Sequence, residues 1–350
     1  MSRGDNDLNT SSKTANCGSR VPELDALRFA AAVAVMGFHY ASWAGLKSPL
    51  EFGWLGVQLF FMISGFVIFW SALGRSAGEF VLSRASRLYP SYWVCLGITA
   101  GAMTWSGNAL SGRQIVGNVL MLSQVFRVEN IDPVYWTLYV EQKFYFFVFI
   151  LLLLRQSTWA ERWLAGWLVV AVLDCRLPGL SWLTMDHAAA FFISGALFFF
   201  VRRDGMRARR GVMLFVSMLV GMYSASRPEL LSTYGVPGGG LVSAATILVL
   251  HAIFLGMALR KISLPRASGW YVVGSLTYPL YLLHARAGEV IWSALPDNFR
   301  IRIAVVTTAS LSAAAAIAYV TERRMCGRLY RFFRSHPTPW RSAPAPEVVA

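Results

Sequence analysis

The chain has 350 residues, 56% of them hydrophobic and only 14% charged, with a formal net charge of +14. Soluble domains carry about 25% charged residues, so this composition excludes a disordered chain, a collagen-like repeat and a disulfide scaffold, and it argues against a water-soluble enzyme. The positive charge could suggest nucleic acid, but with the first loop outside the cell 22 of the 32 Lys+Arg fall in inward-facing stretches and seven in outer loops, the asymmetry of a multi-pass membrane protein with both termini cytoplasmic.

In chain order, residues 1–20 are polar and lack an apolar run, which predicts a cytoplasmic N-tail without a cleavable signal. A membrane span needs about 20 apolar residues. That rule predicts an all-α protein with ten spans near 24–45, 52–73, 88–106, 134–155, 159–176, 186–202, 209–226, 236–258, 269–294 and 301–320, forming one membrane domain over residues 21–330. The connection 106–133 holds the apolar stretch Ile115 to Val125 and predicts an interfacial or re-entrant helix. Residues 331–350, rich in proline, predict a disordered C-tail. Cys17, Cys95, Cys175 and Cys326 do not share an oxidising side, so no disulfide is expected.

Charge at membrane depth is costly, and the residues that break the apolar pattern are where chemistry is sought. In the first span Arg28 and His39 are eleven residues apart, on one helix face about 16 Å from each other. A guanidinium suits phosphate recognition and an imidazole suits proton transfer; the alternative is that Arg28 pairs with Asp25 while His39 only bonds across helices. Glu141 in the fourth span and His284 in the ninth are expected at the depth of His39. These three would make a layer able to hold a general base, an orienting carboxylate and a polariser. The alternative is a polar network that fixes packing, with Lys143 neutralising Glu141. Arg84 and Arg87 sit three residues apart at the cytoplasmic edge and suit either a nucleotide phosphate or a lipid phosphate. Ser64 and Gly65 read as a close helix approach rather than a nucleophile. His187 and His251 fall near predicted span ends, and His336 falls in the tail. No zinc motif, P-loop or hydrolase elbow is present.

The order of these patterns is specific. Asp25-x-x-Arg28 with His39, Phe60 to Phe66, Arg84-x-x-Arg87-Leu88-Tyr89-Pro90, Trp136-Thr137-Leu138-x-x-Glu141 and Thr277-Tyr278-x-x-Tyr281-Leu282-x-His284 together resemble the acyltransferase-3 family of integral-membrane O-acyltransferases, across about residues 21–325. The resemblance implies transfer of an acyl group, usually acetyl, from cytoplasmic acyl-CoA to a hydroxyl of a glycan, a lipid-linked sugar or a glycosylated small molecule. It implies a bacterial inner membrane, contact with membrane lipids and no resident metal. It puts the family's essential Arg and His on Arg28 and His39, its motif Glu on Glu141 and its late His on His284, with His39 expected as general base on the acceptor hydroxyl or as acyl relay, Glu141 orienting it and His284 as a second polar group. Arg28, Arg84 and Arg87 would bind the coenzyme A phosphates. The separation of Arg28 and His39 suits an extended pantetheine arm, with the thioester near the imidazole. The chain departs from the pattern at Gln142, Lys143, Arg286 and Arg323-Arg324, positions that touch the acceptor side and helix ends, and no esterase-like domain follows the last span. A transporter or flippase of a glycosylated or acylated compound is the competing reading.

Overall fold

The computed structural model describes residues 21–321 apart from 178, 186 and 266. The expected N-tail and C-tail, with Cys17, Cys326 and His336, lie outside the described residues. Every regular element among the described residues is helical.

Helix α1 (Pro22–Trp43) begins with proline in its first turn, where no backbone N–H needs a partner, and with Glu23 and Asp25 at the positive end of its dipole. A 3-10 turn over Pro49–Leu55 leads into α2 (Gly56–Ala72). Helix α3 (Ala77–Trp105) starts on a capping box made by Ser76 and Glu79 and runs through Pro90 for 29 residues, about 43 Å. It therefore takes in Arg84 and Arg87, which the apolar pattern had left on a connection. Then come α4 (Gly112–Val119), α5 (Ser123–Phe126), a 3-10 turn (Pro133–Tyr135), α6 (Trp136–Leu153), α7 (Ala160–Asp174), α8 (Ala189–Asp204) and α9 (Ala208–Ala225). The remainder is α10 (Pro228–Thr233), α11 (Gly240–Ala258), α12 (Ser268–Leu283), α13 (Arg286–Ala294) and α14 (Phe299–Val320).

All ten expected segments are helical. Among the described residues four stretches, Pro49–Ala72, Pro133–Leu153, Gly240–Ala258 and Phe299–Val320, are long and apolar enough to cross a membrane. The ninth segment differs from expectation: the predicted single span 269–294 is two helices, broken at His284 and Ala285.

The bundle centre is the crossing of α2 and α8, where every residue from Ala189 to Val201 is buried. A Cβ on Gly65 would strike the Phe192 carbonyl, and one on Gly195 would strike the Met62 carbonyl. Glycine is required because the two backbones touch. Beside this crossing, Ser194 Oγ lies 2.9 Å from both Ser217 Oγ and His251 Nε2, a buried network joining α8, α9 and α11. His251 thus lies well inside α11, not near a span end. Residues 106–131 fold back along α3. Tyr92 Oη donates to the Asn118 carbonyl at 2.6 Å and Trp93 Nε1 to the Val119 carbonyl at 3.0 Å, about 18 Å or more from the end of α3. Buried Asn118 ties the two limbs together, donating to the Gln114 and Glu129 carbonyls and accepting from the Ile131 N–H.

At the opposite end Arg210, 1% exposed, directs its guanidinium to Glu161 (2.6 and 3.2 Å), Asp204 (3.0 Å) and the Phe200 and Gly205 carbonyls. This saturates the fork and staples α7, α8 and α9. Charge counting placed Arg210 among topology-setting cations; its packing makes it structural.

Candidate active site

Helices α1, α2, α3, α6 and α12 enclose a cavity whose lining includes Arg28, Arg84, Arg87, Glu141, Tyr145 and Ser64. Arg28 reaches it from the first turns of α1 and is held by Asp25, whose Oδ1 accepts from Arg28 at 3.1 Å. Gly274 of α12 makes room for that pair, since a Cβ there would lie 2.6 Å from Asp25 Oδ1. Arg28 thus pairs with Asp25 and at the same time lines the cavity. Arg84 and Arg87 come from one face of α3, and Arg84 Nε is buried without a partner. Three guanidinia against the carboxylates of Asp25 and Glu141 leave surplus positive charge and a spare donor, which is what an anionic phosphate requires.

Glu141 is where the structure departs from the expected layer. It does not stand with the two histidines; it lines the arginine cavity, and its Oε1 accepts from Ser64 Oγ and Tyr145 Oη, each at 2.7 Å. The physical reason is helix phase: Tyr145 lies one turn further along the same face of α6, and that face turns toward Arg84 on α3. Ser64 therefore has a hydrogen-bond partner in the cavity that its packing role did not suggest, while its neighbour Gly65 makes the close approach. The Lys143 ammonium lies over Tyr139 at 4.8 Å and Trp182 at 5.8 Å.

The two remaining residues do meet. His39 and His284 have ring centroids 5.1 Å apart, with Phe38 and Trp43 flanking His39. His284 is fully buried. Its Nδ1 lies 2.8 Å from the Tyr281 carbonyl and 3.2 Å from the Leu280 carbonyl. Carbonyls only accept, so the proton is on Nδ1 and the lone pair is on Nε2. That Nε2 is buried and has no partner. Neither histidine lines the arginine cavity, but Tyr281 lines it with its ring centroid 5.5 Å from that of His284, and Phe60 lines it 5.2 Å from Tyr281. One layer of rings separates the cavity from the imidazoles.

Sequence reasoning missed Tyr145, Tyr278, Tyr281 and Thr137 as site residues. Tyr145 had an available signal, its i+4 spacing from Glu141. Thr137, Tyr278 and Tyr281 stood in the motifs that carry the resemblance, but the 3.0 Å contact of Tyr281 with Thr137 joins residues 144 apart and no local pattern showed it.

The fold is thus a bundle of apolar helices around a charged cavity, with a pair of imidazoles one layer of rings beyond it. The chain belongs to the acyltransferase-3 family: it matches that family's model, an acyltransferase domain, over residues 21–321, and it is a membrane acyltransferase. It is similar to the exopolysaccharide production protein ExoZ of Rhizobium meliloti (strain 1021), with 28% identity over 282 residues, covering 74% of this chain and 83% of that protein. It is also similar to nodulation protein 10 of Rhizobium leguminosarum bv. viciae, with 29% identity over 197 residues, covering 47% of this chain and half of that protein (50%). No solved structure matches the chain significantly.

Proposed function

We propose that the chain is an inner-membrane O-acyltransferase, with ten spans and both termini cytoplasmic, that moves an acyl group, most simply acetyl, from cytoplasmic acyl-CoA to a hydroxyl of a glycan, lipid-linked sugar or glycosylated small molecule. Arg28, Arg84 and Arg87 hold the donor's phosphates. The pantetheine arm follows α1 from Arg28 toward His39, about 16 Å along one unbroken helix. The acceptor hydroxyl gives its proton to a histidine Nε2, its oxygen attacks the thioester carbonyl, and the coenzyme A thiolate leaves. His284 is the base and His39 its neighbour at the reacting carbonyl. Glu141 balances the arginines and orients Ser64 and Tyr145 across the cavity. The carrying observation is that α1 connects a cavity with an unpartnered guanidinium nitrogen to a pair of imidazoles with an unpartnered ring nitrogen. The name of ExoZ, a protein of exopolysaccharide production, supports a carbohydrate acceptor.

Membranes containing the wild-type chain should transfer label from radiolabelled acetyl-CoA into alkali-labile material, and membranes with His284→Gln or no chain should not. Uptake or efflux of a glycosylated compound without covalent change would favour the transporter reading instead.

A further inference from the structure

His284 lies at a break between two helices, and both sides of that break are held by one short segment of another part of the chain. Helix α12 ends at Leu283, Ala285 takes φ −84° and ψ −90°, and α13 begins at Arg286. A break in a buried place exposes backbone N–H groups that must find acceptors. The Arg286 N–H donates to Asp132 Oδ2 at 2.9 Å, and the other oxygen of Asp132 accepts the Val134 N–H at 3.1 Å. Asp132 is fully buried, so its carboxylate serves only these backbone groups among the hydrogen bonds described.

Five residues further on, Thr137 Oγ1 donates to the Val134 carbonyl at 2.9 Å. Its single proton is thereby committed, so in the 3.0 Å contact with Tyr281 Oη the tyrosine is the donor. The backbone carbonyl of that same Tyr281 accepts from His284 Nδ1 at 2.8 Å. Residues 132 to 137 thus grip residue 281 on one side of His284 and residue 286 on the other.

We infer that Asp132 and Thr137 are positioning residues that act through His284: they stop α12 at the histidine, hold the Tyr281 carbonyl on Nδ1, and so keep the Nε2 lone pair unpartnered beside His39. The apolar pattern explains why such a clamp is needed. Residues 269–294 read as one continuous span, and without the Asp132 carboxylate the Arg286 N–H would find its acceptor by continuing α12, carrying His284 into a regular turn. The role in catalysis rests on the proposed acyl transfer, whereas the control of the imidazole tautomer stands independently of it.

The test uses the full chain in lipid nanodiscs, labelled with 15N-histidine and read by solid-state NMR, with His284→Gln to assign the signal. Wild-type His284 should show a protonated Nδ1 and a bare Nε2. Asp132→Ala and Thr137→Val should convert that signal to a mixture of tautomers, and Thr137→Ser, which keeps the hydroxyl, should restore it. In parallel, Thr137→Val should lower kcat for transfer from acetyl-CoA at least 10-fold with KM for acetyl-CoA unchanged. An unaltered wild-type tautomer in Thr137→Val, or equal kcat for Thr137→Val and wild type, would overturn the inference. If Asp132→Ala fails to fold, the Thr137→Val and Thr137→Ser pair still decides it. Tautomer mixing in a chain that transfers no acetyl even as wild type would uphold the clamp and remove the proposed reaction.

Discussion

Two buried histidines of this protein begin from the same local arrangement and end differently. His251 lies 2.9 Å from the carbonyl of Ile247 through Nδ1, and His284 lies 3.2 Å from that of Leu280, each one turn back on its own helix. Both are therefore held as the Nδ1–H tautomer with a lone pair on Nε2. In the α8–α9–α11 core that lone pair meets Ser194 at 2.9 Å, and Ser194 contacts Ser217 at 2.9 Å, so the polar groups are satisfied by one another. Beside α1 the corresponding nitrogen has no hydrogen-bond partner, and its ring lies 5.1 Å from a second imidazole, centroid to centroid. A satisfied network contributes to packing; an unsatisfied one is maintained against a desolvation cost of about 1–3 kcal/mol by the fold around it. That contrast sets the His251 network, in the half of the bundle taken as structural, against the His39–His284 pair in the half proposed to be reactive.

The sharpest way to break the comparison is to exchange the two histidines' fates. His284→Gln should reduce acetyl transfer by about 10²- to 10⁴-fold, the usual reach of a general base, at unchanged membrane abundance. His39→Gln should do the same. His251→Gln should leave transfer per folded molecule near wild type while lowering thermal stability in detergent, by about 1–3 kcal/mol for a disrupted buried hydrogen-bond pair. Equal loss of transfer in all three variants would erase the distinction. Next in size is the crossing that keeps the structural half closed. Gly195→Ala places a methyl against the Met62 carbonyl, and the overpacking should cost about 1–3 kcal/mol or more, seen as reduced folded protein by fluorescence-detected size exclusion. A more modest effect is expected at the cavity. Arg84→Gln should raise KM for acetyl-CoA about 10-fold, consistent with loss of a charge-assisted hydrogen bond of about 1.5–3 kcal/mol, with a smaller change in kcat. The smallest is at the staple: Arg210→Met should lower the thermal midpoint without changing KM. Its partners Glu161 and Asp204 keep 24% and 28% side-chain exposure, so water takes over part of the lost pairing and the effect falls below the 3–5 kcal/mol of a fully buried pair.

Much of the fold was legible before any coordinates. Ten apolar runs predict ten membrane spans; helix is found in each of those runs, in the ninth as two helices, and among the described residues four stretches are long and apolar enough to cross a membrane. The Ser76 and Glu79 capping box and the proline that opens α1 are likewise local. The candidate site was legible in its residues and less so in its partnerships. Arg28, Arg84 and Arg87 could be singled out because each is a charge out of place, and His39 and His284 because each is a proton-transferring side chain inside an apolar run. Their grouping was half right: the two histidines meet, and Glu141 joins the arginines.

What the sequence determined by itself was therefore the class of structure, the identity of the unusual residues and the family they resemble, since periodicity, charge placement and motif order are all written along the chain. What only the tertiary structure decided was which of those residues touch. Glu141 turns to Ser64 and Tyr145 because of the phase of α6 against α3, and a depth estimate carries no information about phase. The break at His284 depends on Asp132, 154 residues away from Arg286 in sequence, and no local pattern encodes an acceptor supplied from that distance. The free lone pair on His284, on which the proposed chemistry turns, exists because the surrounding side chains fail to satisfy it. That is a property of packing in three dimensions and of no residue alone.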